Sequence, residues 1–149
     1  MELTIRKTKP ARVPLKSLKE ASDRILTREG WPMDSGVDLW LCDDDEIADL
    51  NARYRDTHGP TDVISFPQYE PGERPPSGMP VTLGDVVISV DTTARQARQR
   101  GVSLSREIEW LFLHALLHLL GYDDDTEENL NRMMEIARQS LVPASQPAD

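Results

Sequence analysis

Between Trp110 and Leu120 the chain reads WLFLHALLHLL, an apolar run broken only by His114 and His118. No other stretch limits the fold so narrowly. Residues four apart lie one turn apart on the same helical face, so a helix here presents two imidazoles from one side and leucines from the others. Two core histidines could each be satisfied by a backbone carbonyl. Left without partners, however, each buried imidazole costs roughly 1–3 kcal/mol, and one metal ion held by both removes that cost.

The residues that follow favour the metal. Gly121 can adopt the positive φ that ends a helix and turns the chain back, and Asp124 lies beyond that turn, where a third ligand can fold under the ion. The pattern H-x3-H-x2-G-x2-D has the ligand spacing of the metzincin peptidases. In those enzymes the residue after the first histidine is the general-base Glu, and here it is Ala115. The cage is expected without the peptidase base.

Elsewhere the patterning is that of one α+β domain over residues 1–149. Strands are expected at 3–7, 37–42, 62–67 and 83–90, the last entered through Gly84. Helices are expected at 14–29 and 91–100, closed by Gly30 and Gly101, at 43–55, at 103–120 with Glu107 and Glu109 near its start, and at 126–141. Asp125 followed by Glu128 fits an N-cap and its reciprocal partner. The segment PGERPPSGMP (71–80) reads as an exposed loop, and residues 142–149 as a frayed tail.

A hydrophobic content of 38% with 29% charged residues suits a globular chain. The apolar run is too short to span a bilayer, and MELTIRKTKP has no apolar stretch after its charges, so neither a membrane span nor a signal peptide is expected. Cys42 is the lone cysteine, and the expected compartment is the cytoplasm. The net charge is −9, divided as +4 over residues 1–30 and −13 over residues 31–149. Such a balance argues against broad, phosphate-driven binding of nucleic acid; a local basic surface near the N-terminus is compatible with it.

Three segments together resemble the YbeY family of bacterial metal-dependent endoribonucleases, the rRNA maturation factors. LNARYRDTHGPTDVISFP (50–67) is similar to that family's central signature, LGDVVIS (83–89) to its next strand, and HALLHLLGYDD (114–124) to its metal-binding helix and turn. The resemblance covers roughly residues 35–140. It implies a zincin-like α+β domain with a small mixed sheet and a site on a long central helix. It further implies one bound Zn²⁺, single-strand-specific cleavage of RNA, 3′-end maturation of small-subunit ribosomal RNA, and ribosome quality control. The implied partner is the small ribosomal subunit, with no DNA and no membrane; a monomer is favoured.

Two positions depart from the family pattern. Ala115 stands where glycine is usual, a mild change within a helix. Asp124 stands where the third ligand is usually histidine. A carboxylate binds Zn²⁺ well, so the expected ligands are His114, His118 and Asp124. The site is then less positive than one built from three imidazoles, and a harder oxygen ligand widens tolerance toward Mn²⁺ or another divalent ion.

Outside the cage, Arg55 matches the family's YR element and is expected to hold a substrate phosphate; the structural alternative is that it complements a helix dipole. Arg55 and His114 are the expected catalytic residues. The nucleophile is left open between water and the substrate's 2′-OH. Asp123, His58 and hydroxide at the metal are candidate bases, although His58, in a polar turn, reads better as a surface residue. Thr61, Asp62 and Ser65 receive no catalytic role, and an exposed aromatic that could stack on a base is not identifiable. The rival readings are a peptidase or other metallohydrolase on the same cage, and a non-catalytic ribosome-associated module with a structural metal.

Overall fold

The computed structural model describes residues 1–76 and 78–141. Four strands, β1 (Glu2–Lys7), β2 (Gly36–Cys42), β3 (Val63–Pro67) and β4 (Thr82–Ser89), combine with α1 (Leu15–Glu29), α2 (Asp44–Tyr54), α3 (Val90–Arg100), α4 (Leu104–Leu119) and α5 (Glu127–Ser140). The sheet order is β1-β2-β4-β3. β1, β2 and β4 run parallel, and β3 lies antiparallel on the β4 edge. This is the small mixed sheet of an α+β fold. The expected tail lies outside the described residues.

Alternation along the strands divides the apolar residues between two faces. Val37, Leu39, Leu41, Leu83, Val86 and Ile88 join α1, α4 and α5 in the main core, whereas Cys42, Val87 and Ile64 meet Ile47 of α2 in a smaller one. α4 runs through the main core. Phe112, Leu113, Leu116 and Leu117 have no solvent exposure, and truncating one such side chain to Ala costs about 2–5 kcal/mol. The two imidazoles are therefore mounted on a helix anchored by fully buried side chains.

The sequence signals for the helix ends mostly hold. Asp43 caps α2 and forms a reciprocal capping box with Glu46. Ser103 caps α4, while Gly30 and Gly101 close α1 and α3. Two details differ from expectation. Thr126, not Asp125, caps α5, its hydroxyl accepting from the Asn129 N–H at 3.0 Å; Asp125 instead accepts from the Asn129 side chain. A shift of one residue suffices because both side chains can accept a backbone hydrogen bond. Gly84 does not open β4 but sits inside it at φ +142°, beside a register shift against β2, and a Cβ there would collide with the Phe66 carbonyl. The glycine allows β3 to close onto β4.

Candidate active site

α4 ends in a turn that locks its second histidine. Leu120 is the C-cap residue and Gly121 follows at φ +105°. The Gly121 N–H reaches the His118 carbonyl at 3.0 Å and the Tyr122 N–H reaches the Leu117 carbonyl at 3.0 Å, the paired bonds of a Schellman turn. The turn brings the Tyr122 carbonyl back over the helix end, where it accepts from Nδ1 of His118 at 3.0 Å. One turn earlier, Nδ1 of His114 donates to the Trp110 carbonyl at 3.1 Å. A carbonyl can only accept, so both Nδ1 atoms carry a proton, and in the neutral form of each ring the lone pair lies on Nε2.

Those lone pairs are the ligating positions. Nε2 of His114 is buried and has no hydrogen-bond partner among the described residues. Nε2 of His118 lies 3.5 Å from Oδ2 of Asp124. Burial pushes the His114 imidazole below the ordinary histidine pKa, and the charges of His118 and Arg100 act in the same direction. The hydrogen bond to Trp110 and the carboxylate of Asp62 oppose them. The ring is thereby kept in the neutral form that a metal requires. An orphaned buried nitrogen, a second imidazole held by the same device and an acid beside it form a donor set suited to zinc. Among the described residues no three His, Cys, Asp or Glu side chains are gathered into a ready-made cage. The set is two fixed imidazoles on a rigid helix and one carboxylate on an exposed turn.

The expected site residues meet in one cleft. A cavity of about 940 Å³ is lined by His114, His118, Asp124 and Arg55, together with Asp62 and Asp123. Arg55 is the C-cap residue of α2, and its side chain is exposed. His58 is exposed and does not line the cleft, and Arg53 pairs with Asp49 on the outer surface of α2. Thr61, Asp62 and Ser65, given no role from sequence, all line the cleft. Asp62 is held by the Val63 N–H at 2.8 Å and the Thr61 hydroxyl at 3.3 Å.

One pairing lies outside the sequence expectations. Glu107, two turns before His114 on the same helical side, is 2% exposed and accepts from Arg100 of α3 at 2.9 and 3.2 Å. Both residues line the cleft. The available signal was the spacing of seven from His114; an acid in the first turn of a helix reads as a complement to the dipole, and its partner lies on another helix.

A family model described as Endoribonuclease YbeY matches residues 4–144. A protein of that name from Moorella thermoacetica is 43% identical over 134 residues, covering 87% of this chain and 85% of its own. One from Heliobacterium modesticaldum is 40% identical over 83% of this chain and 79% of its own. One from a Synechococcus species is 47% identical, and there the match spans 60% of the relative's length. Among solved structures, the solution structure of TM1509 from Thermotoga maritima superposes with a TM-score of 0.62 at 26% identity, covering 93% of this chain and 86% of that one.

Proposed function

The chain belongs to the Endoribonuclease YbeY family, and on that premise we propose that it is a metal-dependent endoribonuclease acting on single-stranded RNA. Its biological substrate is the 3′ region of small-subunit ribosomal RNA, reached at the ribosome in the cytoplasm, where it also serves quality control. One Zn²⁺ is held by His114, His118 and Asp124, with Mn²⁺ as an alternative. The observation that carries this reading is the buried, unpartnered Nε2 of His114 in a cleft shared with His118, Asp124 and Arg55.

Charge supports the same reading. The cleft lining holds two guanidinium groups, Arg55 and Arg100, against four carboxylates, Asp62, Glu107, Asp123 and Asp124. With neutral imidazoles that surface is negative by two charges and repels a phosphodiester. A divalent cation brings it to neutrality.

When bound, the ion supplies Lewis-acid stabilisation of charge at the phosphoryl group. The chain's own groups do the rest. The carbonyls of Trp110 and Tyr122 hold the two imidazoles in one tautomer, so their Nε2 atoms need no reorientation during turnover. The exposed Arg55 guanidinium offers paired N–H donors to the non-bridging oxygens of the substrate phosphate. As an oxygen nucleophile adds to phosphorus and the bond to the leaving oxygen breaks, negative charge grows on those oxygens and the Arg55 contacts strengthen. At the position where a metzincin-type peptidase carries its base, Ala115 is buried and has no proton to move.

The deciding experiment is elemental analysis of purified protein beside His114→Ala and Asp124→Ala, with cleavage of a single-stranded RNA assayed on the same samples. One zinc per chain in the parent, less in both variants, and RNA cleavage that stops on chelation and returns with Zn²⁺ or Mn²⁺ are the expected results. A metal-loaded parent that leaves RNA intact would sink the reading.

A further inference from the structure

We propose that Tyr54 is a base-stacking platform, holding the nucleobase next to the phosphate that Arg55 grips. The inference rests on the reading of the cleft as an RNA site and adds to it a contact to the base.

Five aromatic residues line the cleft: Tyr54, Phe66, Tyr69, Trp110 and Tyr122. Four are partly buried and already packed or hydrogen-bonded. Trp110 packs edge-on against His114 at a centroid distance of 4.5 Å, and Tyr69 packs against Trp31 at 5.9 Å. The Tyr122 hydroxyl is tied to Glu29 at 2.8 Å. Phe66 is partly buried against the smaller core. Tyr54 remains, and it is 64% exposed, the most exposed of the large hydrophobic side chains described.

Its orientation suits a flat ligand. Tyr54 and Phe66 meet at 5.7 Å with their planes 79° apart. In such a perpendicular contact one ring turns its edge to the other's face, so Phe66 covers at most one face of Tyr54, in keeping with the high exposure of the residue. The ring is steadied before any ligand arrives, which lowers the ordering cost of binding. As the last residue of α2, Tyr54 directly precedes the C-cap residue Arg55. A planar apolar surface joined to a guanidinium matches the repeat of a single-stranded nucleic acid, in which each phosphate is joined through a sugar to a base. Stacking accepts any base, because every base has a π-face.

The test uses zinc-loaded full-length protein and a short fluorescent single-stranded RNA with 2′-O-methyl sugars, followed by anisotropy. Tyr54→Ala is expected to weaken binding about 5- to 150-fold, and Tyr54→Phe to stay within about twofold of the parent. Circular dichroism is expected to be unchanged, because the side chain lies outside both cores. Abasic substitution along the RNA then supplies the decisive readout. At one position, loss of the base should weaken the parent by the factor seen for Tyr54→Ala, and should leave Tyr54→Ala unaffected.

Equal binding by the parent and Tyr54→Ala overturns the inference alone, as does a Tyr54→Phe variant as weak as Tyr54→Ala. A Tyr54→Ala loss that no abasic position reproduces also overturns it, since the ring would then act only by placing Arg55. A parent that binds no RNA at all removes the endoribonuclease reading and this inference with it.

Discussion

The carbonyl of Tyr122 accepts from Nδ1 of His118 at 3.0 Å, across a turn that only Gly121 makes without strain. A β-carbon on Gly121 would also lie 3.3 Å from the Pro71 Cα. Gly121→Ala is therefore expected to cost about 1–3 kcal/mol of stability, and to weaken zinc binding about 10- to 100-fold by disturbing the group that orients His118. Chelator competition and urea unfolding on one preparation would measure both effects. An unchanged zinc affinity would show that the turn does not set the ligand.

Asp124 is expected to matter to the metal and little to the fold. Its side chain is 52% exposed, so Asp124→Ala should leave unfolding of the metal-free protein within about 0.5 kcal/mol of the parent, while the zinc content of the purified protein falls. Asp124→His restores the metal and returns the site charge to that of three neutral ligands. The acid limb of its pH–rate profile should then move to lower pH, and superimposable profiles would count against the charge argument.

Acid should loosen the packing of α2 against α3 through Asp44. Its partial desolvation favours the protonated form, but hydrogen bonds from Thr92, Ser89 and Arg95, with the charge of Arg95, outweigh that and hold the carboxyl down to about 2 from 3.8. A folded-state pKa below the unfolded one stabilises the native state above the unfolded value, and the gain is lost as pH falls from 3.8 through about 2. With 26% of the side chain exposed, the contribution at neutral pH is about 1–2 kcal/mol after solvent screening. Urea unfolding of Asp44→Asn and the parent should differ by that amount at neutral pH and converge as the pH approaches the folded value.

Cys42 should be inert in the native protein. Burial raises its thiol to about 12 from 9.0, and the charges of Glu46, Asp43, Asp44 and Asp91 add to the effect. The thiolate that reacts with alkylating reagents is thus roughly a thousandfold scarcer than in an exposed cysteine. Iodoacetamide at mildly alkaline pH is expected to label the chain only in denaturant. Rapid labelling of folded protein would contradict the packing around β2.

Periodicity made the site helix legible, because His114, His118 and the leucines between them report a single face. Gly121 was legible for a related reason, since few other residues end a helix by turning back. What stayed hidden depends on contacts between segments distant in sequence. The pairing of Glu107 with Arg100 joins two helices, and the need for Gly84 arises from the approach of β3. The exposure of Tyr54 follows from how α2 lies on the sheet. The α5 cap was missed for a different reason: Asp125 and Thr126 can both accept a capping hydrogen bond, and register decides between them.

Two of the expected ligands project, partly buried, from a helix that runs through the main core, and the third stands on a water-facing turn. Exchanging the side chain at position 124, which is 52% exposed, is therefore expected to cost the fold little. On the proposed reading, then, the ligand chemistry at position 124 can be exchanged without touching the greasy helix beneath it.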